Sequence, residues 1–169
     1  SSPNKCNGKK QAIAFGITNA NYDHFVFTDA DCVPSSINWL SVINSSFLKG
    51  NNIVLGYGRF NKSNSILNRM IRYESLLTVI HYYSFTLNND PYMGVGRNLA
   101  YSRELYESSI STKNHEEILS GDDDLFVNQN SERLKAGILL SMKAQTFSEP
   151  EPTIKSYFYQ KRRQLIAGN

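Results

Sequence analysis

One tryptophan, two cysteines and five prolines are all that the 169 residues contain of those types, and each scarcity removes a class of protein. Two thiols, Cys6 and Cys32, build no disulfide framework, so reduced thiols in a cytosolic setting are the simpler expectation. Charge of one sign is scarce too. With 18 basic and 15 acidic residues the formal net charge is only +3, which points to no nucleic-acid partner. No apolar run suits a membrane span: the longest region, Ile66 to Leu87, is broken by Arg69, Arg72, Glu74 and His81. Internal repeats and low-complexity linkers are absent. What remains is an ordinary globular composition, 40% hydrophobic and 20% charged, at a length that suits one domain with a core of its own.

The stretch His24–Leu40 organises the chain. His24 to Phe27 is short, aromatic and β-branched, the pattern of a buried strand. It gives way to Thr28-Asp29-Ala30-Asp31, then Cys32, Val33 and Pro34. Pro34 cannot continue a ladder, and Ser35-Ser36 is suited to cap a helix over Ser36–Lys49. Strand alternation predicts that Asp29 and Asp31 face one side, at the carboxyl end where open α/β sheets bind ligands. Two like charges there call for a cation, and a hard divalent ion bridging a diphosphate fits oxygen ligands. The bland alternative, Asp residues that merely cap the next helix, is equally open for an isolated Asp-x-Asp.

Around this stretch, Lys9 to Ala20 predicts a helix with a narrow face of small residues, and Ile53-Val54-Leu55 a second strand. Ser63 or Asn64 caps a long helix ending near His81. Gly94-Val95-Gly96-Arg97-Asn98 follows a loop; glycines there let backbone approach a ligand, although a tight turn explains them as well. Arg103–Ser108 begins a short helix. Gly121-Asp122-Asp123-Asp124 precedes a helical pattern that runs to Gly137, and the helix dipole alone favours acidic residues in a first turn. Ile138–Thr146 is a strand candidate, and Thr153–Ile166 a helix bearing Lys161-Arg162-Arg163, by default a solvated basic face.

Taken in order, these segments resemble family 2 glycosyltransferases of the inverting, metal-dependent GT-A type. Asn7-Gly8-Lys9-Lys10-Gln11-Ala12 is similar to that family's helix start before the Asp-x-Asp strand, and Phe27-Thr28-Asp29-Ala30-Asp31-Cys32 to its metal and nucleotide motif. Gly94-x-Gly96-Arg97-Asn98-Leu99-Ala100-Tyr101 looks like the acceptor-side segment, and Gly121-Asp122-Asp123-Asp124 like the segment carrying the base. Gln160-Lys161-Arg162-Arg163 resembles the Gln-x-x-Arg-Trp motif of membrane-associated members, with Gln164 in place of tryptophan.

The resemblance implies an α/β fold, an incomplete GT-A domain with a mixed, mostly parallel sheet flanked by helices. It implies a nucleotide-diphosphate sugar as donor, a glycan or lipid-linked acceptor, and Mg²⁺ or Mn²⁺ as cofactor. Asp31 would bind the metal, with Asp29 sharing it or contacting the ribose, and Lys9 on the donor side. Asp123, or Asp122 one residue earlier, would be the base. Gly96, Arg97, Asn98, Gln160, Arg162 and Arg163 would line the acceptor or hold the diphosphate. By the same likeness residues 1–169 form one catalytic-domain fragment, whose base-gripping strands would precede Ser1 and whose membrane helices would follow Asn169. Such a fragment is expected to be inactive alone and to self-associate along an unpaired edge beside His24–Phe27. The complete protein would sit at the cytoplasmic face of the inner membrane. Two rivals remain open here: a haloacid-dehalogenase-like phosphatase with Asp29 as nucleophile, and a non-catalytic module that binds a cation and a membrane.

Overall fold

The computed structural model describes residues 8–111 and 123–167, with side chains over 11–110 and 123–162. Asp122 therefore lies outside the described residues, and so do the side chains of Lys9 and Arg163. The chain runs α1 (Gly8–Asn19), β1 (His24–Phe27), β2 (Val33–Pro34), α2 (Trp39–Phe47), β3 (Ile53–Leu55), β4 (Gly58–Phe60) and α3 (Ile66–Leu87). It continues through a 3₁₀ turn (Gly96–Asn98), β5 (Leu99–Ser102), α4 (Arg103–Ser111), α5 (Asp123–Gln129), a 3₁₀ turn (Ser131–Arg133), β6 (Ala136–Ile138), a further 3₁₀ turn (Met142–Ala144), β7 (Thr146–Ser148) and α6 (Ile154–Ala167).

A four-stranded sheet has the order β1-β5-β3-β6, and a three-stranded sheet the order β2-β7-β4. Both are mixed, as expected of this α/β architecture, but the parallel share is the smaller one. Among the described residues the ladders β1–β5, β3–β5 and β2–β7 are antiparallel, while β3–β6 and β4–β7 are parallel. β1 lies at an edge, paired on one side with β5.

Central β3 explains its own sequence. Each of its three residues is buried, because both faces of the sheet are covered. Ile53 and Leu55 join Leu99 and Tyr101 in a core closed by Ile17 of α1, Val79 and Tyr82 of α3, Leu105 of α4 and Val127 of α5. Val54 and Ala100 point the other way, into a second core with Trp39, Ile43 and Phe47 of α2. Alternate residues of two strands thus divide the molecule into helix, sheet and helix layers. Each fully buried aliphatic side chain contributes about 1.5–3 kcal/mol.

Several expectations need correction. Ser35 and Ser36 do not cap α2; their hydroxyls donate to the carbonyls of Met142 and Lys143 at 2.6 and 2.9 Å, and the helix starts at Trp39. The cap of α3 is Ser65, whose hydroxyl accepts from Asn68 N at 3.0 Å, and the helix runs beyond His81 to Leu87. The pattern after Asp124 is not one helix to Gly137. α5 stops at Gln129, and Gly137 lies within β6, where a Cβ would strike Ser46 and Asn51. Ile138–Thr146 is likewise not one strand: β6 ends where it begins, and β7 starts where it ends.

Candidate active site

The two carboxylates do not ride on a strand. β1 ends at Phe27, and Asp29–Cys32 form a turn closed by Cys32 N donating to Asp29 O at 3.0 Å. Strand alternation therefore does not apply, yet the turn achieves the convergence that alternation predicted. Ligand atoms of Asp29, Asp31 and Cys32 all lie within 4.8 Å of one another, with Asp31 exposed and the other two half-buried. The turn is held at both ends. Thr28 Oγ1 donates to Arg97 O at 3.1 Å, and Val33-Pro34 pair with Phe147 and Thr146. A position fixed this way costs little further ordering when a ligand binds.

Burial raises the pKa of the Cys32 thiol, and the charges of Asp31 and Asp29 raise it further against a smaller opposing pull from Arg97. The thiol is therefore protonated at neutral pH, and the donors suited to a hard cation are the two carboxylates. Two carboxylates on a partly open turn fit Mg²⁺ or Mn²⁺ and leave coordination positions for phosphate oxygens or water.

Arg97 is tied to this turn through its carbonyl, which accepts from Thr28, and its charge acts on Cys32; its other surroundings fix its side chain. Its guanidinium lies 4.3 Å from the Phe60 ring centroid and donates to Ser148 Oγ at 3.4 Å, while its carbonyl accepts from Thr146 Oγ1 at 2.9 Å. Gly58 makes room, since a Cβ there would come within 2.8 Å of Arg97 Cβ. Asn98 is different. It is buried, its Oδ1 accepts from the Trp39 indole at 3.2 Å, and its Nδ2 donates to Ala144 O and Tyr57 O at 2.7 and 3.2 Å. Its amide is spent on contacts within the protein, to α2 and to the chain on either side of the second sheet.

Gly96 completes the arrangement. A side chain there would run into the carboxylate of Asp123, so the first residue of α5 rests directly on this glycine. The same carboxylate, after burial, helps to hold the Tyr101 hydroxyl far above its ordinary pKa. Three consecutive residues thus connect the arrangement: Gly96 carries Asp123, the Arg97 carbonyl holds Thr28 at the start of the acidic turn, and Asn98 anchors the segment from inside.

Comparison with protein-family models matches residues 2–109 to "Glycosyl transferase family 2". The chain belongs to glycosyl transferase family 2. Comparison with curated proteins gives no match. The matched span holds the acidic turn and the Gly94–Tyr101 segment, and it ends before Asp123. The contact with Gly96 is what sets Asp123 beside that segment.

Gln160 and Arg162 lie on α6, half-buried and exposed respectively. That helix is anchored on α3, where Lys161 pairs with Glu74 at 2.5 Å and the Tyr157 hydroxyl donates to the same carboxylate. Phe60, Thr146 and Ser148, the residues that set Arg97, have no signal in the sequence. Thr28 could have been found, because it directly precedes the acidic pair.

Proposed function

We propose that this domain transfers a sugar from a nucleotide-diphosphate sugar to an acceptor hydroxyl, with inversion at the anomeric carbon. The observation that carries the reading is the 3₁₀ turn Gly96–Asn98, which backs the Asp29–Asp31 turn through Arg97 and Asp123 through Gly96. Asp31, with Asp29 beside it, would hold Mg²⁺ or Mn²⁺, which supplies charge neutralisation for a diphosphate leaving group. Arg97 offers a planar fork, preset by Phe60 and Ser148, for phosphate oxygens. Asp123 accepts the proton of the acceptor hydroxyl as that oxygen bonds to the anomeric carbon and the bond to the diphosphate breaks. One displacement completes the reaction, and no covalent enzyme intermediate forms. The acceptor is taken to be a glycan or a lipid-linked sugar in glycan or cell-envelope polysaccharide synthesis. Lys9, Gln160, Arg162 and Arg163 are assigned to donor, acceptor or diphosphate by motif likeness alone.

Asp123→Asn tests the reading. Affinity for a nucleoside diphosphate with Mn²⁺ should persist while transfer falls about two to four orders of magnitude, the scale of general-base catalysis. Loss of transfer in Asp122→Asn but not in Asp123→Asn would move the base by one residue. Full activity in both variants would remove Asp122 and Asp123 from the role of base.

A further inference from the structure

Helix α3 is apolar on two opposite sides. Asn68, Ile71, Val79, Tyr82 and Thr86 are among the residues it buries in the protein. Opposite them, Ile66, Met70, Tyr73, Leu77, Ile80 and Leu87 succeed one another in alternating steps of four and three residues, with Ser84 filling the one polar step. Their exposures run from 38% at Leu77 to 77% at Ile66. Single apolar residues on a surface are ordinary, but a row about 31 Å long is a patch that marks an interaction site.

Charge selects the occupant. α3 and α6 together carry six Lys and Arg and a single acidic residue, Glu74. That carboxylate is engaged within the pair, by Lys161 and Tyr157. Arg69 and Arg72 each directly precede a residue of the row, and Lys155 and Arg162 are exposed on α6 beside exposed Phe158 and Tyr159. A second copy of this surface would set cations against cations, whereas anionic headgroups complement them. No helix among the described residues is long and apolar enough to cross a membrane, so α3 would lie along one rather than through it.

We propose that α3 and α6 form a docking surface for an anionic phospholipid bilayer. The Ile66–Leu87 row enters the boundary between headgroups and acyl chains, with Arg69, Arg72, Lys155 and Arg162 against lipid phosphates. The α3 row is independent of the transfer chemistry, because none of its residues, nor Arg69 or Arg72, is assigned to donor, acceptor, metal or base; only Arg162 and Arg163 of α6 are shared with that reading.

Co-sedimentation with vesicles tests it. The protein should pellet with phosphatidylcholine vesicles rich in phosphatidylglycerol, pellet poorly with phosphatidylcholine alone, and be released by high salt. Leu77→Glu with Ile80→Glu should abolish binding; both side chains are exposed, and an unchanged melting temperature would confirm the fold. Should that pair fail to fold, Arg69→Gln with Arg72→Gln serves instead, lowering the partition coefficient about fivefold per arginine. Three results would overturn the proposal: no binding to anionic vesicles, equal binding to both vesicle types, or wild-type binding by a folded variant. A vesicle-free dimer that dissociates on Leu77→Glu would also overturn it, assigning the row to a second copy.

Discussion

Replacing Gly96 by alanine separates stability from chemistry. The backbone tolerates the change, because the only glycine with positive φ among the described residues is Gly50. The new methyl meets the far end of the Asp123 side chain, which can turn aside more cheaply than backbone could. Removing a glycine from the unfolded chain is worth about 0.4–1 kcal/mol and offsets part of the crowding. The net change in stability should stay within about 1 kcal/mol, a melting-temperature shift of about 2–4 °C for a chain of this size. Activity should respond far more. A methyl group displaces the carboxylate by something on the order of 1 Å, and a misplacement of that size costs about 10²-fold in rate. The assay measures release of nucleoside diphosphate with saturating donor and acceptor, beside nucleotide affinity and thermal melting. Gly96→Ala should bind the nucleotide normally, melt normally and turn over about a hundredfold more slowly. Wild-type turnover in Gly96→Ala, with Asp123→Asn inactive, would show that the carboxylate works from elsewhere.

Two further outcomes follow from the anchoring contacts. Asn98→Ala strands the buried Trp39 indole N–H and the Ala144 carbonyl, while Tyr57 O keeps its bond from Thr146 N; at about 1–3 kcal/mol for each group left unpaired, chemical denaturation should show a loss of a few kcal/mol, and wild-type stability would refute the anchoring role. Glu74 has its pKa lowered although burial opposes this, because hydrogen bonds from Lys161 and Tyr157 outweigh it. Its stabilising contribution is present above the unfolded carboxylate pKa and is lost as pH falls through the lower folded value. Hydrogen exchange in α6 should accordingly rise only in acid below the ordinary glutamate range, and Glu74→Gln should show that rise at neutral pH. Equal protection in the variant and the wild type would separate α6 from Glu74.

The parts of this fold that could be read from sequence are those whose reasons are local. β1, β3 and α1 were visible from apolar patterning, and α6 from its run of helix formers between Pro152 and Gly168. β7 was not, because Thr146 and Ser148 look like loop residues. They are buried since their hydroxyls hold Arg97, a partner 49 and 51 positions away. Strands of three residues are too short for a period to show, so β6 vanished into the helical pattern before it. The convergence of the acidic pair was legible in the sequence, but the backbone that delivers it was misread. Nothing in Thr28-Asp29-Ala30-Asp31 distinguishes a strand end from a turn until Arg97 O and Asp29 O supply the hydrogen bonds. Asn98 was legible as special and assigned outward, when its three partners lie inside.

The central claim is that the Asp29–Asp31 turn holds a divalent cation that carries a diphosphate. Isothermal titration of the protein with a nucleoside diphosphate, with and without Mn²⁺, tests it most directly when repeated on Asp31→Asn. The account predicts Mn²⁺-dependent binding in the wild type and none in Asp31→Asn, with the variant still folded. Equal Mn²⁺-dependent affinity in both proteins would contradict it.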